Sequence, residues 1–417
     1  MIFTPPHTGL INNISFMSTE ILYLLSFLLP LVLIPFVLPA YVLMGHRKRI
    51  TDNPGVRKLQ NQPVAVMGGM PIMLVICITS LVVNIFFDIS SLFPVLCVMF
   101  MLHIIGMLDD SIGLTWKYKL MLQSLAVVLL FFGSNYGIHF FYGSFGLETL
   151  SPWVSFLVTL FCGVFILNAV NFADGIDGLA SAIGVMTGLM MGYWHMRHGF
   201  EIQTILSLIV AGVMVAFFVF NVFSERYKSY MGDSGSLVLG LFIYIIVSND
   251  SISRLDGSFL ADNYIFSFIV ATLSYVLFDM IRVVALRLFH HKPPYEGDRT
   301  HLHHIYADMG LNHLLSTLVI ILTNLLVVCV WGVTAVVGMP FVPQLLATLV
   351  AGAVLIWSPY FVLTFFRDRR KQKYEAISTR CKKVSAGVDA FVSLVGGIID
   401  GKSSMNKKNK QKITDKR

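Results

Sequence analysis

The chain has 417 residues, of which 56% are hydrophobic and only 13% are charged. Soluble globular proteins carry about a quarter charged residues and roughly 45–50% apolar ones, so this composition excludes an ordinary water-soluble enzyme and a disordered chain. The net charge of +7 does not indicate a nucleic-acid partner, because residues 367–417 hold 15 Lys and Arg against 5 Asp and Glu and the rest of the chain is net negative. The sequence therefore predicts a protein that crosses a membrane several times.

Eleven long apolar runs predict membrane-spanning helices. A bilayer core of about 30 Å requires roughly 20 apolar residues in a helix, and backbone polar groups in lipid must be paired within a helix or a closed barrel. The first run is too long for the core of a signal peptide, so we expect it to remain as a span. The predicted fold is therefore all-α. The helices are predicted over residues 18–45, 66–87, 91–108, 118–133, 151–168, 178–196, 203–222, 234–248, 264–289, 314–338 and 341–366.

The basic residues predict the orientation, because Lys and Arg concentrate in cytoplasmic loops. If the N-terminus is outside, 28 of the 30 Lys and Arg lie on the cytoplasmic side, and only Arg197 and Arg254 lie outside. An odd number of helices then places the C-terminus in the cytoplasm. The division predicted is a transmembrane domain over 1–366 and a basic cytoplasmic tail over 367–417, whose Lys-rich end could attract anionic lipid headgroups.

Five carboxylates lie at the predicted cytoplasmic helix ends. Adjacent carboxylates repel each other unless a cation shares the site, and Mg²⁺ prefers oxygen ligands and keeps waters for phosphate oxygens. We therefore expect a Mg²⁺ site that Mn²⁺ can also occupy. The alternative for the Asp-Asp pair is a solvated helix cap. The five are Asp109, Asp110, Asp174, Asp177 and Asp233.

Two segments on this face combine glycine with polar side chains. Residues Asn168 to Leu179 hold two amides, two carboxylates and two glycines, so tight turns can bring donors and acids together. A turn followed by a helix cap would explain only one Asp and one Gly. The second segment, Met231-Gly-Asp233-Ser-Gly-Ser, opens the eighth helix, whose free backbone N–H groups predict an anion site.

The last inner loop is rich in histidine, with His290, His291, His301, His303 and His304 beside Lys and Arg. Such a cluster could hold Zn²⁺, although no Cys accompanies it. Histidine and arginine are also donors to phosphate oxygens, and a purely structural polar loop is a third alternative.

In this order, the motifs resemble those of the polyprenyl-phosphate N-acetylhexosamine-1-phosphate transferases, over about residues 47–310. The form of the histidine motif resembles the WecA-like branch, which uses UDP-GlcNAc. The MraY branch uses UDP-MurNAc-pentapeptide and has a Pro-x-His-His-His loop instead. The segments that carry the resemblance are Leu108-Asp109-Asp110, Asn168 to Leu179, Gly232-Asp233-Ser-Gly-Ser and Asp298-Arg299-Thr-His301-Leu-His303-His304.

The resemblance implies roles for the residues that match its motifs. The paired acids would lie near the acceptor phosphate, the loop after the fifth helix would bind the nucleotide sugar, and the histidines would lie near the diphosphate. The implied catalytic residues are Asp109, Asp110, Asp174, Asp177, His301, His303 and His304. The implied substrate-binding residues are Asn168, Asn171, Lys119, Asn221, Tyr230, Arg299, Arg57 and Lys58. The implied metal ligands are Asp233, Asp109 and Asp110.

One position departs from the family's pattern. Gln60 stands where WecA-like sequences commonly have His, so no specific role is carried over to it. Arg57 and Lys58 nearby remain candidate contacts to phosphate or lipid headgroups.

The expected reaction transfers GlcNAc-1-phosphate from UDP-GlcNAc to undecaprenyl phosphate and releases UMP, at the cytoplasmic face of a bacterial inner membrane. This would be the first membrane step in the synthesis of a cell-surface polysaccharide such as an O-antigen. Two alternatives remain open: another UDP-HexNAc or UDP-MurNAc-pentapeptide as donor, and a membrane transporter or flippase. Transporters usually place charges near the bilayer midplane, whereas most acids here lie at helix ends. The partners expected are the two substrates and membrane lipids, with a homodimer left open.

Overall fold

A computed structural model describes residues 18–52, 63–134, 136–139, 150–248, 259–294, 299–369 and 371–401. Helices make up most of this part of the chain. They are α1 (Thr19–Lys48), α2 (Gly69–Phe86), α3 (Phe93–Ile112), α4 (Trp116–Ser134), α5 (Pro152–Ala173), α6 (Leu179–Arg197), α7 (Glu201–Phe223), α8 (Gly232–Val247), α9 (Phe259–Thr272), α10 (Ser274–Phe289), α11 (Leu302–Asp308), α12 (His313–Val336), α13 (Phe341–Arg369) and α14 (Lys371–Ile399).

Each predicted apolar run is helical over most of its length, which agrees with an all-α protein that crosses a membrane several times. Among the described residues, eight helices are long and apolar enough to cross a membrane, or nine if α9 and α10 form one bent span. The helices α6 and α8 are not among these eight. The total of eleven spans and the orientation of the termini stay predictions.

The prediction of one continuous helix over 264–289 is wrong, because the chain bends by 69° between α9 and α10. The apolar run contains neither proline nor glycine at the break. Backbone groups freed at a break in a membrane helix need other partners, and Asn324 of α12 supplies them. Its amide donates to the carbonyl of Thr272 at 3.0 Å and accepts from the N–H of Tyr275 at 2.7 Å.

The centre of the bundle is α8, which packs against α2, α3 and α5. Its residues from Leu237 to Ile246 are all buried. A helix that is apolar on every side belongs in a core, and this position lets α8 carry its polar N-terminus to one end of the bundle.

Two glycines bring that N-terminus close to α2 and α3. A Cβ atom on Gly69 would lie 2.6 Å from the backbone nitrogen of Gly235, and one on Gly106 would meet the backbone of Asp233 and Ser234. The neighbours are backbone atoms and cannot give way easily. These contacts hold the acidic end of α3 beside Asp233.

A small sheet at the same end was not predicted. Strands β1 (Thr51–Asp52), β2 (Val64–Val66) and β3 (Ser229–Tyr230) lie in that order, with β1 antiparallel and β3 parallel to β2. The Ser229 hydroxyl donates to the Ala65 carbonyl at 3.1 Å. The sheet thus joins the loop after α1 to the loop before α8.

Much of the segment predicted as a basic tail is helical. After α13, helix α14 runs for 29 residues and packs against α7, α12 and α13. Residues 402–417 lie outside the described part of the chain.

Candidate active site

The ammonium group of Lys119 lies between two carboxylates at the end of the bundle. Its Nζ is 3.0 Å from Asp109 Oδ2 and 2.5 Å from Asp233 Oδ2. Asn171 completes the group, because its amide donates to Asp233 Oδ1 and to the Ser236 hydroxyl, both at 2.7 Å. Residues from α3, α4, α5 and α8 therefore meet at one point, and all but Ser236 are among the predicted site residues.

The two adjacent aspartates have different surroundings. Asp109 Oδ1 accepts from the N–H of Leu114 at 2.6 Å, while its other oxygen faces Lys119. Asp110 accepts from the N–H groups of Asp233 at 2.9 Å and Ser234 at 3.1 Å, with one oxygen for each. A carboxylate there satisfies unpaired donors at the start of α8 and is stabilised by the helix dipole. Asp110 thus holds the start of α8 in place.

The oxygen donors of this site suit a hard cation. Among the described residues no group of three or more His, Cys, Asp or Glu side chains is arranged for a metal. Mg²⁺ does not need one, since one or two carboxylates together with substrate phosphates usually hold it. Asp109 and Asp233 already converge on one cation, the Lys119 ammonium, so they are the pair that could hold a metal. Both Asp110 oxygens are engaged by α8.

A cavity of about 500 Å³ opens beside this group. Its volume lies within the range of about 300–1,000 Å³ that small-molecule sites occupy. Carboxylates, amides, an arginine and histidines from five separate stretches of sequence converge on it. The predicted site residues in its wall are Asp110, Asn171, Asp174, Asp177, Asn221, Tyr230, Asp233, Arg299 and His304.

The loop between α5 and α6 supplies two carboxyl groups to the cavity. Burial and the charges of Asp233, Asp177 and Asp110 raise the pKa of Asp174 well above its ordinary value. Burial alone would raise the pKa of Asp177 as well, but His313 and Lys228 lower it below its ordinary value. The loop therefore presents one carboxyl group that favours protonation and one that stays ionised.

Two residues that the sequence motifs did not indicate contact the Asp177 carboxylate. Lys228 Nζ lies 2.6 Å and His313 Nδ1 2.7 Å from Asp177 Oδ2, and His313 also lines the cavity. Lys228 could have been noticed as a basic residue just before the Asp233 segment. His313 gives no such signal, because it follows the N-cap residue Asn312 and resembles an ordinary helix start.

The three motif histidines do not share one environment. His301 Nδ1 lies 2.8 Å from the carboxylate of Asp279, and its ring stacks on Phe172. His303 is fully buried, with Nδ1 3.1 Å from the Tyr275 hydroxyl. Only His304 lines the cavity. Asp279 also pairs with Arg282, three residues later on the same helix, so a buried ion cluster lies next to the histidine motif.

The remaining predicted residues that the structure describes make contacts within the protein. Asn221 accepts from the N–H of Gly178 at 2.6 Å and donates to the Ser229 carbonyl at 2.8 Å, which ties two cavity loops together. Asn168 pairs with Gln123 between α5 and α4 at 2.7 Å. Arg299 forms an exposed ion pair with Asp308 at 2.6 Å. Arg57, Lys58, Gln60 and Asp298 lie outside the described residues.

The burial of His304 predicts that the stability of the protein depends on pH. Burial and the charge of Arg299 lower the pKa of His304 to about 4, from 6.5. Because the folded-state value lies below the unfolded one, the contribution of His304 to stability is complete above pH 6.5 and is lost as the pH falls from 6.5 towards 4. We compare the melting temperatures of His304→Asn and the wild type in detergent. We expect the melting temperature of the variant, relative to that of the wild type, to be higher at pH 5 than at pH 7.5. A difference between variant and wild type that does not vary with pH would contradict this assignment.

Comparisons with known proteins found a family match over part of the chain and several similar proteins. Residues 92–249 match glycosyl transferase family 4. A probable undecaprenyl-phosphate N-acetylglucosaminyl 1-phosphate transferase of Bacillus subtilis is 28% identical over 301 residues, which cover 72% of this chain and 80% of the relative. A phospho-N-acetylmuramoyl-pentapeptide-transferase of Staphylococcus carnosus is 27% identical over 314 residues, or 70% of this chain and 91% of the relative.

A third relative has a different lipid in its name. The decaprenyl-phosphate N-acetylglucosaminephosphotransferase of Mycobacterium tuberculosis is 30% identical over 235 residues, which cover 52% of this chain and 57% of that protein. The matched family region contains Asp109, Lys119, Asn171 and Asp233. The group around Lys119 therefore lies within the part of the chain that matches the family.

Proposed function

We propose that this chain, residues 92–249 of which match glycosyl transferase family 4, transfers GlcNAc-1-phosphate from UDP-GlcNAc to undecaprenyl phosphate at the cytoplasmic face of a bacterial inner membrane. The family consists of polyprenyl-phosphate hexosamine-1-phosphate transferases. The observation that carries the proposal is the convergence of Lys119, Asp109, Asp233 and Asn171 beside an open polar cavity at the end of apolar helices. A lipid acceptor and a water-soluble donor can meet only at such a boundary.

In the proposed reaction a phosphate oxygen of the acceptor forms a bond to the β-phosphorus of UDP-GlcNAc. The bond from that phosphorus to the bridging oxygen breaks, and UMP leaves with the electron pair. Phosphoryl transfer depends mainly on positioning and on neutralising charge. Lys119 supplies a cation at the site, and Asn171 holds the Asp233 carboxylate in its orientation. Mg²⁺, when bound by Asp109 and Asp233, would neutralise charge on the diphosphate.

The acceptor needs little help from a base. A phosphate monoester has its second pKa near about 6, so it is mostly dianionic at neutral pH. Asp110 is engaged with the start of α8 through both oxygens, which favours direct displacement over a covalent intermediate on that residue. Asp109 remains the candidate for a base or nucleophile, and a trapped phospho-aspartate would reveal the covalent route.

The choice of donor rests on the histidine motif and on the relatives. The motif resembles the WecA-like form, and two of the three relatives described above carry N-acetylglucosamine in their names. The third carries N-acetylmuramoyl-pentapeptide. UDP-GlcNAc is therefore the proposed donor, and UDP-MurNAc-pentapeptide is the second candidate.

The test is UMP release by the purified full-length protein with undecaprenyl phosphate, MgCl₂ and one donor at a time. We expect UMP from UDP-GlcNAc, loss of activity with EDTA, and recovery with added Mg²⁺ or Mn²⁺. Release from UDP-MurNAc-pentapeptide or UDP-GalNAc alone would keep the family and overturn the donor. No release from any UDP-sugar would overturn the function, and activity that survives EDTA would overturn the metal.

A further inference from the structure

Helix α14 lies across the end of the bundle that carries the cavity. It follows α13 directly and packs against the C-terminal part of the chain and against α7. Two of its attachments are to loops that lead into the cavity wall. One loop follows α7, and the other precedes α12.

The first attachment is the carboxylate of Asp400, one residue past the end of α14. Its Oδ1 accepts from the Ser224 hydroxyl at 2.5 Å, and its Oδ2 accepts from the N–H groups of Glu225 and Arg226, both at 3.0 Å. Asp400 is 5% exposed. A buried carboxylate is costly unless it is hydrogen-bonded, and these three donors satisfy it. They fix the loop that leads to Lys228.

The second attachment lies four turns earlier on α14. The Ser385 hydroxyl donates to the Gly310 carbonyl at 2.9 Å and accepts from the N–H of Asn312 at 3.0 Å. The Asn312 side chain in turn donates to Asp389 at 2.8 Å. These bonds fix the residue immediately before His313.

Both attached loops reach the same cavity group. Lys228 and His313 are the two residues that bind Asp177 Oδ2, at 2.6 Å and 2.7 Å. Asp400 accepts from the N–H of Arg226, which precedes Lys228 by two residues. Ser385 accepts from the N–H of Asn312, which directly precedes His313. One helix therefore sets the separation of the two side chains that contact this carboxylate.

We propose that α14 is a strap that positions Lys228 and His313, and through them Asp177, so that it controls affinity for the nucleotide-sugar donor. Asp400 and Ser385 are positioning residues in this account. The effect on donor affinity rests on the proposed function, because Asp177 lines the cavity that would hold UDP-GlcNAc. Lys119, Asp109 and Asp233 lie on α4, α3 and α8. Loosening the strap should therefore leave these three side chains in place.

Two glycines of α14 provide a matched pair of variants. A Cβ atom on Gly396 would meet the carbonyl oxygen of Phe223, the last residue of α7 before the first loop, whereas one on Gly387 has no heavy atom of the described residues within 4 Å. Both changes replace glycine with alanine inside the same helix and raise its helical propensity equally. Only Gly396→Ala should push α14 away from the loop.

The experiment measures KM for UDP-GlcNAc and kcat in the full-length protein. We expect Gly396→Ala and Asp400→Ala to raise KM by about tenfold, the scale of indirect coupling through contiguous contacts, with kcat changed less than twofold. Asp400→Asn should restore KM, because its amide oxygen can still accept both N–H groups. Gly387→Ala and the exposed Glu375→Ala should match the wild type. Unchanged KM in the first two variants, or a parallel loss of kcat, would overturn the strap.

Hydrogen exchange tests the strap without any turnover. Asp400→Ala should accelerate exchange of the amides in residues 224–230 and 309–313, because local opening sets exchange there, and should leave α8 protected. Unaltered exchange in both loops would overturn the proposal. If the wild type releases no UMP from any donor, the proposed function fails, and the exchange result still decides whether α14 positions the loops.

Discussion

Replacing Lys119 with methionine is expected to reduce the rate of UMP release by about a thousandfold, the scale seen when one preorganised electrostatic contact is removed. The Lys119 ammonium is shared by Asp109 and Asp233. Without it, two carboxylates would face each other and the incoming phosphates with no fixed cation of the protein between them. Methionine retains much of the packing of the lysine stem, so the variant mainly tests the charge.

Lys117→Met is the matched control. Lys117 lies on the same helix, is exposed, and has its ammonium 5.7 Å from the centre of the Trp116 ring. The same change of charge and length should leave UMP release within about twofold of the wild type, because exposed charges contribute little. Lys119→Met activity above one tenth of the wild type would contradict the role given to Lys119.

The second large effect is expected from Asp233→Asn. This change keeps the shape of the side chain and removes the charge that binds Lys119. It also turns one acceptor oxygen into an NH₂ donor, so the side chain can no longer accept from both Lys119 and Asn171 as the carboxylate does. We expect UMP release to fall by about a thousandfold or more. The melting temperature should change little, because Asp110 still holds the start of α8.

Asp88→Asn is the control for this charge change. Asp88 is exposed and lies just past the end of α2, and an 18-residue helix separates it from the site by about 27 Å. Its activity should equal that of the wild type. Full activity in Asp233→Asn would remove Asp233 from the site, and equal losses in both variants would indicate an effect of net charge alone.

The sequence predicted the helical architecture because long apolar runs have few structural alternatives in lipid. It did not predict the break before Tyr275, since the run is continuous and the compensating amide of Asn324 comes from a helix about 50 positions further along the chain. Helix α14 was likewise missed as a packed element. Its basic residues predicted a tail, and its buried attachments through Ser385 and Asp400 involve single polar side chains.

The candidate site was predictable where motifs place acids and amides at helix ends. Asp109 and Asp110 could not be distinguished, because neighbouring residues on a helix point about 100° apart and only packing determines which one faces Lys119. The motif also did not show which histidine faces the cavity. His303 is buried, whereas His304 lines the cavity. The pairing of Lys228 and His313 with Asp177 joins three distant segments, which spacing alone does not reveal.

If the sugar moves together with its phosphate, the β-phosphorus of UDP-GlcNAc must follow the sugar into the lipid product. UDP-GlcNAc labelled with ³²P at the β-position would be incubated with the purified protein, undecaprenyl phosphate and MgCl₂, and the organic and aqueous phases would be counted. We expect the label in the lipid product and unlabelled UMP in the aqueous phase. Label that remains in aqueous UDP while GlcNAc appears on the lipid would show transfer of the sugar alone and would contradict the account.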